Sequence, residues 1–173
     1  LSRGLGDVYK RQLYDGIAVL NSADFDEKQL EDKISSIPQV DKSMLMQSTD
    51  GIAENESENQ SVSMIVPKSP ENMGDYIDLV SAENGSNLEV KSGSVIITQK
   101  LAKLLDLKTG DTITIKLSGH EEKEFKIGGV SKNYALHYIY ITPDDFESVY
   151  GEKPVYNLSF IDLKKDTDEN SFK

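Results

Sequence analysis

Short apolar runs and strict alternation dominate the chain, and helical spacing is confined to three brief stretches. Ile17-Ala18-Val19-Leu20, within Tyr14 to Asn21, is a compact apolar run closed by Asn-Ser and predicts a strand. Leu30, Ile34 and Ile37 then recur at i, i+4, i+7, on one face of a helix. Asp26 supplies its N-cap, Gln29 the capping-box partner, Phe25 and Leu30 a hydrophobic staple, and Pro38 the stop. Val40 and Ser43 to Gln47 read as a second strand, which makes the opening a strand-helix-strand unit. Asp50 to Gln60 is polar and predicts a loop or hairpin end, and Ser61 to Pro67 returns as a strand through Val62, Met64 and Val66. The pattern from Pro70 to Leu79 is mixed, and Glu83-Asn84-Gly85-Ser86 predicts a turn.

The second half is more sharply punctuated. Ser94 to Thr98 reads as a strand, and Thr98 caps a short helix with Leu101, Leu104 and Leu105 at i, i+3, i+4 and Ala102 as a close-packing position. Lys108-Thr109-Gly110-Asp111 turns the chain into Thr112 to Leu117, where alternation sends Ile113, Ile115 and Leu117 to one side. After a polar hairpin end at Ser118 to Glu122, Lys123 to Val130 alternates back through Phe125 and Ile127, and Gly128-Gly129 implies a bulge or a crowded backbone approach. Tyr138 to Ile141 is a further strand. Thr142 caps the next helix, with Pro143 at its first position, Asp144 and Asp145 at its positive end and Gly151 past its C-terminus. Phe146, Val149 and Tyr150 form its buried face, and Val155 to Leu163 is a last strand. Asp166 onward has the acids and hydroxyls of a helix start. If this closing unit pairs with the opening one, the fold class is α+β in two lobes. Residues 13–70 and 154–173 form a discontinuous strand-helix-strand lobe with its C-terminal helix truncated, and 71–153 form an inserted β-rich lobe with short helices.

Charge and composition narrow the function classes. The 173 residues carry 19 Lys+Arg against 30 Asp+Glu, a net −11, with no Cys and no Trp. Clustered bases for nucleic-acid phosphates are missing, so no nucleic-acid partner is expected. No run approaches the ~20 apolar residues of a membrane span. The absence of Cys removes disulfide scaffolds and thiolate metal sites. Residues 1–12 hold three of the bases and one acid, leaving 16 against 29 in the rest, a net −13. A signal-peptide apolar region does not follow them, and they read as a non-native leader, adaptor-like or tag-like.

The block from Gly93 to Ile115, in which a strand delivers Leu101-Ala-Lys-Leu-Leu105 and then Gly110-Asp111 and an alternating strand, resembles the extracytoplasmic, MacB-like periplasmic core domain of FtsX-like ABC transporter permeases. The resemblance continues through Phe125-Lys-Ile-Gly-Gly-Val130, Asn133-Tyr134, His137-Tyr-Ile-Tyr-Ile141, Tyr150-Gly151 and Pro154-Val-Tyr-Asn-Leu158. It covers Gly93 to Leu163 by motif and Tyr14 to Val66 by the order of elements. It implies a membrane-proximal lobe and a more distant inserted lobe, carried between the first two membrane helices of a bacterial permease on its extracytoplasmic face. The parent protein would be membrane-embedded. Its partners would be the remainder of the permease, the ATPase subunit, and another permease copy or an extracytoplasmic protein. The module itself would be non-catalytic, coupling ATP-driven helix motion to export or envelope handling of a peptide, lipoprotein or lipid-like substrate. A soluble acidic β-rich ligand- or protein-binding module unrelated to transport is the alternative.

No residue qualifies as catalytic, cofactor-binding or metal-ligating, and no cofactor is expected. His120 sits at a hairpin tip and His137 opens an aromatic strand, with neither the company of a triad nor the spacing of a metal site. Asp144, Asp145 and Glu147 are accounted for as partners of a helix N-terminus. Asn-x-Ser triplets at Asn55, Asn59, Asn84 and Asn157 are chance occurrences outside a eukaryotic secretory context. Tyr134, Tyr138, Tyr140, Tyr150 and Tyr156 concentrate in the last third. They are read first as half-buried strand residues, with Tyr134, Tyr138 and Tyr140 as candidate partner contacts because aromatics with a polar tip suit interfaces.

Overall fold

A computed structural model describes residues 14–20, 26–132 and 137–165. The strands are β1 (Gly16–Val19), β2 (Val40–Glu54), β3 (Asn59–Pro67), β4 (Val95–Thr98), β5 (Thr112–Leu117), β6 (Glu122–Ser131), β7 (Tyr138–Tyr140) and β8 (Leu158–Leu163). The helices are α1 (Glu27–Ser35), α2 (Gln99–Leu105) and α3 (Pro143–Tyr150), with a 3-10 turn at Pro70–Asp75. The fold is α+β, as the pattern predicts. Among the described residues no helix is long and apolar enough to cross a membrane.

The strands run in the order β1-β8-β2-β3-β7-β4-β6-β5, and β5 pairs back onto β2. Six strands, β2-β3-β7-β4-β6-β5, therefore close a ring, while β8 and β1 extend outward from the first half of β2. One edge of β2 serves two neighbours in succession: Val40–Met46 pairs with β8, and Gly51–Glu54 pairs with β5. Its other edge pairs with β3 from Met46 to Glu54.

Three apolar clusters follow from this layout. Alternation in β3 and β5 sends Val62, Met64, Val66, Ile113, Ile115 and Leu117 into the ring core, which Leu101 and Leu105 of α2 and Phe146 of α3 complete. The opposite face of the sheet supplies Met44, Met46, Ile65, Tyr140 and Phe160, covered by Met73 and Tyr76 at the 3-10 turn. Leu30 and Ile34 of α1 lie over Val40, Leu45 and Ile161. Elements from both ends of the chain thus share a core apart from the ring, and β2 and β3 run from that body into it.

The local signals are largely met. Asp26 and Gln29 form the capping box, with the Asp26 carboxylate accepting from the Gln29 N–H at 2.8 Å and the Gln29 side chain accepting from the Asp26 N–H at 3.0 Å. The staple residue Phe25 lies outside the described residues, as do residues 1–12 and the helix start after Lys165. The Thr142 hydroxyl caps α3 by accepting from the Asp145 N–H at 3.1 Å, and Gly151 closes that helix at φ 74°. In β6, Gly128 is the extra residue of a register shift opposite Val95/Ile96, and a Cβ there would lie 2.2 Å from Ser94 Oγ. Both readings of the Gly-Gly pair hold.

Three expectations are corrected. The predicted loop from Asp50 to Gln60 is mostly ladder, because Gly51 to Glu54 finds β3 on one edge and β5 on the other. Only Asn55 to Glu58 turns, with Asn55 Oδ1 accepting from the Ser57 and Glu58 N–H groups and its Nδ2 donating to Leu105 O. Leu104 faces outward at 38% exposure, since the underside of α2 is filled by Leu101, Ala102 and Leu105. Thr98 occupies the N-cap position of α2, but its hydroxyl accepts from the Tyr138 N–H at 3.2 Å and so ties β4 to β7 instead of capping the helix.

Candidate interaction surfaces

The tyrosines are drawn inward by the pleat. In β7, Ile139 faces the ring core while Tyr138 and Tyr140 face the second cluster, their rings edge-to-face at 6.1 Å. Tyr140 is only 1% exposed, and burial holds its hydroxyl far above the ordinary phenol range. A residue so enclosed has no surface to offer, which removes Tyr140 from any contact patch. Tyr138 is half-buried, and Tyr134 lies outside the described residues. Tyr14 joins the same aromatic group 5.1 Å from Phe160, with Tyr76 stacked on the Phe160 ring at 5.3 Å. Burial pushes both phenols up to about 12. Tyr150 and Tyr156 are raised to about 12 by the same cause.

The histidines have structural neighbours. His120 Nε2 lies 3.1 Å from Glu152 Oε1, with its ring edge-on to Tyr150 at 4.9 Å. His137 Nδ1 lies 3.1 Å from the carbonyl oxygen of Ser61. Among the described residues no group of three or more His, Asp or Glu is arranged to hold a metal ion. Asp145 Oδ2 accepts from the Gly93 N–H at 2.8 Å, pinning the 91–93 loop to the start of α3, while Asp144 is exposed.

Beside that pin lies a cleft of about 720 Å³ between the 3-10 turn, the 87–92 loop and the first turn of α3. Met73, Leu79, Leu88 and Val90 make its apolar floor, and Glu71, Asp78, Glu89 and Asp144 stand among its lining residues. Lys68 also reaches the cleft but is engaged by Glu27 at 2.7 Å and by Glu31 on α1. Burial tends to lower the Lys68 pKa, but these two carboxylates outweigh that effect and raise it. The cleft was invisible in the sequence because its walls come from the segment of mixed pattern after Pro70 and from a helix start far along the chain. A second, apolar groove of about 350 Å³ runs between α1 and β1, lined by Ala18, Leu20, Ile34, Ile37 and Ile161, with Val19 beside it 84% exposed.

The closed ring, with its added body, is similar in fold to two solved extracytoplasmic domains of ABC transporters. The extracellular domain of the noncanonic ABC-type transporter YknZ from Gram-positive bacteria matches with a TM-score of 0.55 at 17% identity, over 85% of this chain and 77% of that one. The periplasmic region of MacB from Actinobacillus actinomycetemcomitans matches with a TM-score of 0.53 at 10% identity, over 84% of this chain and 68% of that one. No protein-family profile matches the sequence, and no curated protein sequence does.

Proposed function

We propose that this chain is the extracytoplasmic module of a bacterial ABC transporter permease. It sits outside the cytoplasmic membrane, catalyses no reaction itself, and transmits ATP-driven motion of the membrane helices to cargo handled at the cell envelope. The observation that carries the reading is the shared fold with the YknZ and MacB domains over more than four fifths of the chain. Strand geometry supports it. Gly16 at the start of β1 pairs with Ile161 near the end of β8, the Asp15 N–H donates to Ile161 O at 2.9 Å, and the Leu163 N–H donates to Asp15 Oδ2 at 2.7 Å. The chain enters and leaves this body side by side, which suits a domain inserted between two successive membrane helices. In this reading the body of α1, β1, β8 and the first half of β2 is membrane-proximal, and the continuous β2 strand carries its displacement into the ring. The partners are the remaining permease, its ATPase, and a second permease copy or an envelope protein.

Sequencing the genomic locus that encodes this chain is the direct test. The expected frame places one membrane span before the domain and three after it, with an ATPase encoded alongside. A frame without spans overturns the proposal.

A further inference from the structure

We propose that the cleft between the 3-10 turn and α3 is a docking site for a cationic amphipathic peptide segment. At about 720 Å³ it falls within the size range of ligand sites. Its apolar floor is preformed: half-buried Leu88 presents the open surface, with Leu79 and Val90 packed in the second core, so little ordering accompanies binding. The wall is held by the Gly93–Asp145 and Thr142–Asp145 hydrogen bonds.

Charge decides the occupant. Glu71, Glu89 and Asp144 are exposed at the cleft. Of the two lysines there, Lys68 is directed to Glu27 and Glu31, leaving Lys91 as the remaining base. An anionic ligand meets this acidic rim, and Asp144 and Asp145 already occupy the positive end of α3. A neutral lipid-like ligand would desolvate the carboxylates without partners. A segment with an apolar face for the floor and Lys or Arg for the rim satisfies both, and the net −11 chain steers it in. The biological role of such docking, as cargo or partner capture, rests on the transporter reading above, whereas the binding itself does not.

The test is fluorescence anisotropy of a labelled helical lysine-leucine peptide titrated with the 173-residue chain. Glu71→Gln, Glu89→Gln and Asp144→Asn combined are expected to weaken binding about tenfold at low salt. The distant exposed triple Glu58→Gln, Glu121→Gln and Glu124→Gln is expected to leave it within about twofold. A glutamate-leucine peptide should not bind. Leu88→Ser, at a half-buried floor position, should weaken binding of the lysine-leucine peptide while circular dichroism stays unchanged. Equal losses from the two triples, or binding of the acidic peptide, would mean unspecific charge attraction and overturn the site. Absence of binding at a locus that does encode a permease overturns the cleft alone, and binding at a locus without spans overturns the transporter reading alone.

Discussion

Asn157 lends its side-chain amide to the backbone of Ser48 as though it were one more residue of a strand. Its Oδ1 accepts from the Ser48 N–H at 2.9 Å and its Nδ2 donates to Ser48 O at 3.2 Å. The location explains the need. β8 leaves the edge of β2 at Met46, and β5 joins it only at Gly51. Between them the backbone would lose its ladder partners, and part-buried unpaired groups are costly. Gln47 contributes next door, its Oε1 accepting from the Val155 N–H.

Asn157→Ala should therefore destabilise the fold by about 1–3 kcal/mol, since it leaves both Ser48 groups without this partner. Asn157→Asp keeps the acceptor but sets a carboxylate against a carbonyl oxygen, so it should cost at least as much. Urea unfolding of the two variants checks the order, and an aspartate variant as stable as wild type would show that the amide donor matters little.

Ring closure depends on Gly51. A Cβ there would come within 2.8 Å of Lys116 O and 2.9 Å of Leu117 Cδ2, and the first of these is backbone that cannot rotate away. Gly51→Val is expected to cost about 1–3 kcal/mol or more through overpacking. Gly74→Ala, where nothing lies within 4 Å, should change stability by less than about 1 kcal/mol. Thermal melts of the pair would distinguish a packing effect from a general intolerance of glycine replacement.

Burial of the two β7 tyrosines differs enough to predict different outcomes. Tyr140→Ala opens a cavity in the second core and should cost about 3–5 kcal/mol, in the range of other buried aromatics. Tyr138→Ala, at a half-buried position, should cost less. A Tyr140→Ala chain that melts like wild type would contradict the core assignment.

Two carboxyl groups meet where the ring closes. A side-chain hydrogen bond and the like charge of Glu54 raise the Glu122 pKa above the ordinary glutamate range, with Lys116 opposing. Because the folded value is raised, the stability this pair contributes is fully present below the unfolded pKa and is lost as pH rises through the folded one. Glu122→Gln should therefore gain on wild type from about pH 4 to about pH 7. Paired urea melts at the two values test the sign, and a variant that loses ground at the higher pH contradicts it.

Much of the local structure could be read from the residues in order. The capping box at Asp26 and Gln29, the Thr142-Pro143 start and Gly151 stop of α3, and the alternation of β5 are short-range effects whose causes lie within a few positions. Asp50 to Glu54 reads as loop because Asp and Gly are poor strand formers alone; β3 follows directly through the Asn55 to Glu58 turn, but β5, which takes the other edge, is remote in sequence. Alternation likewise says that Tyr138 and Tyr140 share a face, but not what covers it.

The sequence by itself determined which segments become strands and helices, because propensity, capping and turn chemistry act locally, and it set an acidic, cysteine-free surface. Tertiary structure decided what those segments enclose. Closure of β5 onto β2 turned a polar stretch into ladder and made Gly51 obligatory, and the 3-10 turn with Phe160 hid Tyr140. The approach of the 87–92 loop to α3 created the acidic cleft. Each depends on backbone and side-chain groups that meet only after distant parts of the chain have paired, so no window along the sequence contains both partners.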